Sequence, residues 1–388
     1  MKWPKHKAGE LFDIQLGKML NEKARAGDMF PYLANFNVRW GKFDLIELNR
    51  MAFSGREQEK FAIQPDDLLM CEGGEIGRCA VWTGSDSPIF FQKALHRLRP
   101  LDGRITSHFM HYFMLHISTK GDLPKLVGET SIAHLTREKL AGLSITVPPR
   151  TIQNKIVEVL LTWDTAIEKA ERLIVAKNQL LSHLREHHLT KPQQSTRIKL
   201  KAATHESTAR NGKRLGREAI MAVTKQVGLR PMREETIAAA IDRYKVVRPQ
   251  AFAYNPMRLN IGSIAISSFD DDVLVSPDYV VFECDEAKLL PGYLNHLRRT
   301  RHWASHFEAA GSGGVRIRIY YDDLGAFAFA LPPLAEQARV LAVLDAGVAE
   351  IETLERYLAA LQKQKRGLMQ KLLTGQWRVP VQSKEVAA

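Results

Sequence analysis

Several groups of residues have the types that could perform chemistry, and their spacing or setting argues against it in each. Asp278, Glu283 and Asp285 would offer carboxylates to a metal-dependent nuclease, but they crowd one apolar strand, and Asp285 stands where such a site needs lysine. Asp278 reads as a turn residue and Glu283 as an exposed strand position. His183 and His187 have the i, i+4 spacing of a zinc pair, with His188 beside them, yet no acidic third ligand accompanies them. Asn255-Pro256-Met257 lacks the second proline and the aromatic of an amino-methylating tetrad. Gly311-Ser312-Gly313-Gly314 could nest a phosphate, but no apolar strand leads into it, so it reads as a flexible loop. There is no Walker A sequence for ATP-driven work. Cys71, Cys79 and Cys284 cannot all pair and make no CxxC or Cys/His spacing, which excludes structural zinc and fits a reduced cytoplasmic setting. No catalyst and no bound cofactor is expected.

What remains is charge. Lys and Arg number 55 against 43 acids, a net +12 that points to a polyanionic partner. The surplus is concentrated: residues 191–250 hold 14 Lys/Arg and 5 Asp/Glu. Nucleic acid is the leading partner. The 388 residues, 45% hydrophobic and 25% charged, suit two or three folded domains. No apolar run approaches the ~18 residues of a membrane span, and no apolar stretch of an export signal follows Met1-Lys2-Trp3-Pro4.

The chain repeats itself. Pro148-Pro149 recurs as Pro332-Pro333, and at that offset of 184 Gln153 falls on Gln337, Ile167-Glu168 on Ile351-Glu352, and Leu189-Thr190 on Leu373-Thr374. Each proline pair marks a helix start. Behind it, apolar residues recur by sevens in two interleaved seams: Ile156, Trp163 and Ala170 with Leu160, Ile167, Ile174 and Leu181, then Val340, Leu354 and Leu361 with Leu344, Ile351 and Leu358. This predicts two long helices that pack as a coiled coil. Lys177 and Lys365 interrupt the seams. Each either snorkels from a half-open interface or selects register.

The parts before each helix read as short strands with Gly-rich turns, Asp67–Met70, Ala80–Trp82 and Ile89–Phe91 in the first, Leu259–Ile264 and Tyr279–Phe282 in the second. Helices are expected around His108–Ile117 and Arg137–Leu140. Their mutual sequence similarity is faint. The implied division is 1–147 globular, 148–190 helix, 191–331 globular with a basic entry at 191–250, 332–376 helix and 377–388 tail.

This order resembles the DNA specificity subunit of type I restriction–modification systems. Tyr254-Asn255-Pro256-Met257-Arg258-Leu259-Asn260-Ile261-Gly262-Ser263, Ser276-Pro277-Asp278-Tyr279-Val280-Val281-Phe282, Leu331-Pro332-Pro333-Leu334-Ala335-Glu336-Gln337 and Lys371-Leu372-Leu373-Thr374-Gly375 carry the resemblance. The first half departs at Ile152, where Glu is usual. The resemblance implies an α+β fold with a pseudo-two-fold internal repeat: two mixed α/β target recognition domains separated by two long antiparallel helices. Each domain would read half of a bipartite site, with a spacer of fixed length between.

Arg39, Lys42, Arg56 and Arg78 in the first half, and Arg214, Arg217, Arg230, Arg233 and Arg258 in the second, are the DNA-contact candidates, because Lys and Arg cations bind phosphates and the guanidinium fork of Arg can also grip guanine edges. Pro148, Pro149, Gln153, Pro332, Pro333, Glu336 and Gln337 are the candidates for contact with partner subunits. Those implied partners are methyltransferase subunits, two in number, and a restriction/translocase subunit, which would carry S-adenosylmethionine, ATP and Mg. Two alternatives are a stand-alone nuclease, which would cut DNA with Mg²⁺ alone, and a tandem-repeat regulator, which would bind tightly without partners.

Overall fold

The computed structural model describes residues 3–19, 27–85, 87–123, 134–225, 228–309 and 318–380. Gly311–Gly314 and most of the tail from 381 lie outside the described residues. The chain divides into two compact units, Met1–Lys169 with Tyr357–Ala388 and Ala170–Arg356. Each unit takes its globular part and a portion of each long helix.

The first long helix runs Arg150–Thr190 and the second Leu334–Leu373, both beginning directly after a Pro-Pro pair. In the first unit the early turns of the first helix share a core with the last turns of the second, through Ile156, Val157, Leu160, Met369, Leu372 and Leu373. In the second unit Leu181 and Leu189 share a core with Val340, Leu344 and Ile351. Early turns meet late turns, so the helices are antiparallel. Ile156, Leu160, Leu181, Val340, Leu344, Ile351 and Leu361 are buried, whereas Trp163, Ile167, Ile174, Leu354 and Leu358 are half-buried. A pair of helices covers only the inner half of a seam residue, and these five have no globular core behind them to cover the rest.

The globular parts are far more alike than their sequences suggest. The first unit has a four-stranded antiparallel sheet in the order Phe12–Leu16, Leu95–Pro100, Leu68–Cys71, Cys79–Val81; the second has Thr204–Ser207, Val280–Cys284, Phe252–Tyr254, Ile264–Ile266. A two-stranded ribbon accompanies each, Lys5–Lys7 with Ser144–Thr146 and Thr196–Lys199 with Ala328–Leu331. Helices Ser107–Thr119 and Arg137–Ala141 return as Pro291–Leu297 and Tyr321–Gly325, each starting 184 residues on. Leu259–Ser263, expected in a strand, is instead the turn that leads into one.

The additions differ. The first unit attaches a three-stranded sheet, Asn49–Phe53, Asp28–Leu33 and Phe90–Phe91, whose last pair is parallel. The second attaches a hairpin, Met221–Thr224 with Gly228–Pro231, and a ribbon, Lys245–Val247 with Val273–Val275. Aromatic residues fill the first addition, with Phe53 and Phe90 stacked 4.3 Å apart, and small aliphatics fill the second.

Candidate nucleic-acid interface

Each globular part is locked to its long helix by one glutamine. The Gln153 side chain accepts from the Thr106 N–H (2.9 Å) and donates to the carbonyls of Arg104 (2.6 Å) and Pro148 (2.8 Å). Gln337 repeats this with the Leu290 N–H (2.9 Å) and the carbonyls of Lys288 (2.8 Å) and Pro332 (2.9 Å), every partner 184 residues on. Both glutamines are completely buried. This corrects the expectation that they meet another subunit: their polar atoms are engaged inside the fold, and Pro148 and Pro332 are buried with them. Pro149 and Pro333 are exposed, and Glu336 pairs with Arg339. Ile152, the departure from the usual Glu, packs against the first core.

A second tie differs between the units. The Tyr112 hydroxyl donates to Asp164 (2.6 Å), which also pairs with Lys365. At the position matching Tyr112, His296 contacts Asp345 through Nε2 (2.9 Å) and receives the Arg185 Nε–H on Nδ1 (3.1 Å). An arginine can only donate, so Nδ1 is the acceptor, Nε2 carries the proton, and the ring is neutral. Burial lowers the His296 pKa, with Asp345 opposing and Arg185 reinforcing. The interrupting lysines prove to be ion-paired: Lys365 with Asp164, and Lys177 with Glu350 at 2.7 Å.

The DNA-contact candidates separate by what holds them. Arg78 is committed inward, donating to the Asn35 carbonyl (2.9 Å) and to Glu75 (3.1 Å) with its side chain 14% exposed, which corrects its expected role. Arg217 is tied to Glu234 (2.7 Å) and the Ala238 carbonyl (3.0 Å), and Arg214 and Arg39 reach Asp272 (3.3 Å) and Asp44 (3.7 Å) more loosely. Lys42, Arg56, Arg230, Arg233 and Arg258 are exposed, with no ion pair among the described residues. The basic stretch 191–250 is therefore partly spent on the fold: Lys245 reaches Glu206 (3.8 Å) and Arg248 reaches Glu283 (3.4 Å).

One turn shows how a common frame carries different surfaces. Residues 71–78 link two strands of the first sheet and present Glu72 and Glu75, with Arg78 folded back. The matching 255–262 turn presents Arg258 outward between exposed Met257 and Ile261. Asn255 shapes it, accepting the Met257 N–H on its side chain (3.0 Å) and the Arg258 N–H on its carbonyl (2.9 Å). Gly262, at φ +89°, leaves room for the exposed Lys225 to lie across it. Lys225 belongs with Arg258 on this surface, and the sequence carries no signal for that pairing beyond its lying in the basic stretch.

The reactive-looking groups do not assemble. Asp278 precedes the Val280–Cys284 strand rather than lying in it, Glu283 faces Arg248, and Asp285 pairs with Lys288 (2.8 Å). His183 stacks on His187 at 6.4 Å. Among the described residues no three His, Cys, Asp or Glu come together as a metal site, and no helix is long and apolar enough to cross a membrane.

Residues 1–178 match the family model described as type I restriction modification DNA specificity domain. The match takes in the first globular part and most of the first long helix, 178 of the 388 residues. In fold the chain is similar to the S subunit of a type I restriction-modification system from M. genitalium, with TM-score 0.53 and 12% identity over 99% of this chain and 97% of that one. It also matches a chain from a structure on complex assembly and conformational transition of the type I R-M system, with TM-score 0.62 and 14% identity over 97% and 98%. No curated protein matches.

Proposed function

We propose that this chain is the specificity subunit of a type I restriction–modification complex in the cytoplasm, each globular part reading half of a bipartite DNA site. The observation that carries this reading is the duplicated frame, with the same glutamine lock in both copies and dissimilar turns mounted on it. Two copies of one scaffold bearing different surfaces suit a site whose halves differ. Lys42, Arg56, Arg230, Arg233 and Arg258, with Arg39 and Arg214, supply phosphate and base contacts. The exposed Pro149 and Pro333, with Glu336 beside the second, offer contact to two methyltransferase subunits, and a restriction/translocase subunit completes the assembly. S-adenosylmethionine, ATP and Mg belong to those partners. The division of the chain follows the helices, 148–190 and 332–376 separating 1–147 from 191–331.

The long helices serve as the ruler. A helix of 41 residues spans about 60 Å at 1.5 Å per residue. Sequencing of methylated bases in cells carrying the chain with its partners tests the reading: a split motif with a fixed gap is expected, and one contiguous motif rejects it. Inserting one heptad into both helices should widen the gap by about three base pairs, from ~10 Å of added helix and ~3.4 Å per step.

A further inference from the structure

Arg185, Arg298 and Arg299 occupy the second unit with no carboxylate paired to them among the described residues. Arg185, 9% exposed, spends its Nε–H on the neutral His296, and half-buried Arg298 spends its own on Asn295 (2.9 Å). None of the three has an ion pair among the described residues. The bond to His296 brings the Arg185 side chain to the end of the Pro291–Leu297 helix, which Arg298 and the exposed Arg299 directly follow, and burial, then the neighbouring guanidiniums, pushes Arg185 down to about 10 and Arg298 to about 9. The stretches of this unit outside the described residues, 226–227 and 310–317, contain no acid that could neutralise them.

Holding the buried Arg185 and half-buried Arg298 beside Arg299 with no anion paired to them is costly, and the scaffold does not require it. At the matching positions of the first unit stand Met369, Met114 and Leu115, all in its apolar core or packed against it. The same frame closes with hydrocarbon in one copy and with guanidinium in the other. Guanidinium forks fit the oxygens of a phosphate group, and an anion would relieve their mutual repulsion.

We propose that Arg185, Arg298 and Arg299 form a phosphate-binding site in the second unit. Its ligand is either a backbone phosphate of DNA or free phosphate; the DNA source rests on the function proposed above, and the site itself does not. The test gives the second unit the residues of the first, in the full-length variant R185M/R298M/R299L. It should melt no lower than the parent, because apolar atoms replace unpaired charge. If the ligand is the DNA backbone, the variant binds duplexes of every sequence more weakly. Its log affinity then falls less steeply with log salt, by about one unit of slope per lost contact. If the ligand is free phosphate, that slope is unchanged, and millimolar inorganic phosphate raises the melting temperature of the parent but not of the variant.

Unchanged slope together with equal phosphate response overturns the site, including where the variant instead assembles poorly with methyltransferase subunits. Should the triple variant not fold, R299L at the exposed position carries the same two readouts. If the parent binds no duplex at all, the function proposed above fails, while the phosphate melt still decides the site.

Discussion

In the first unit a phenol and a lysine converge on Asp164; in the second a neutral imidazole stands between Asp345 and Arg185. Tyr112 and His296 occupy the same place in the repeat, on helices that start 184 residues apart, yet their partners do not correspond. The glutamine locks, by contrast, are identical in donor, acceptor and spacing. A duplicated frame thus keeps what its geometry demands and varies what any adequate polar contact can supply. Backbone groups beside a helix start have fixed positions and need a side chain of one length. A tie between two side chains can be rebuilt from either end.

The largest effect should come from breaking what is shared. Gln153→Ala and Gln337→Ala each leave a buried N–H and two carbonyls without their partner, a loss on the order of 3 kcal/mol or more. Hydrogen exchange should report comparable loosening, each confined to its own unit; a loss in one alone would mean that the locks are not equivalent. Asp164→Ala comes next, at about 2 kcal/mol, because it strands Lys365 and Tyr112 in a partly buried site. Glu350→Ala, at the exposed Lys177 pair, should cost about 0.5 kcal/mol or less.

Acid offers a gentler comparison. Burial lowers the pKa of His96, His108, His111 and His116 in the first unit, His111 to about 4, and of His296 and His306 in the second. A histidine whose folded pKa is depressed holds fewer protons folded than unfolded. Its stability is therefore intact above about pH 6.5 and drains away as pH falls toward the folded value. The first unit should loosen more between pH 7 and 5, read by exchange at stepped pH, and His111→Phe should reduce that difference. The smallest effect separates Arg258 from Arg78. Arg258→Ala should weaken DNA binding by about 1 kcal/mol with no change in melting, whereas Arg78→Ala should lower melting first.

The sequence by itself determined the long helices, their starts and the repeat offset, because heptad seams and proline pairs act locally and survive without tertiary context. It also placed the seam lysines, though not the acids that answer them. The likeness of the globular parts was nearly invisible: Phe109 and Tyr293, or Met110 and Leu294, fill equivalent core positions with different side chains, and a sheet tolerates such exchange if volume is kept. Gln153 and Gln337 were conspicuous, but whether they faced outward or inward depended on carbonyls at Arg104 and Lys288, almost fifty residues away. The same holds for Arg78 against Arg258. Residue type announces a charge; only the folded chain decides whether a carbonyl or carboxylate from another strand has already claimed it.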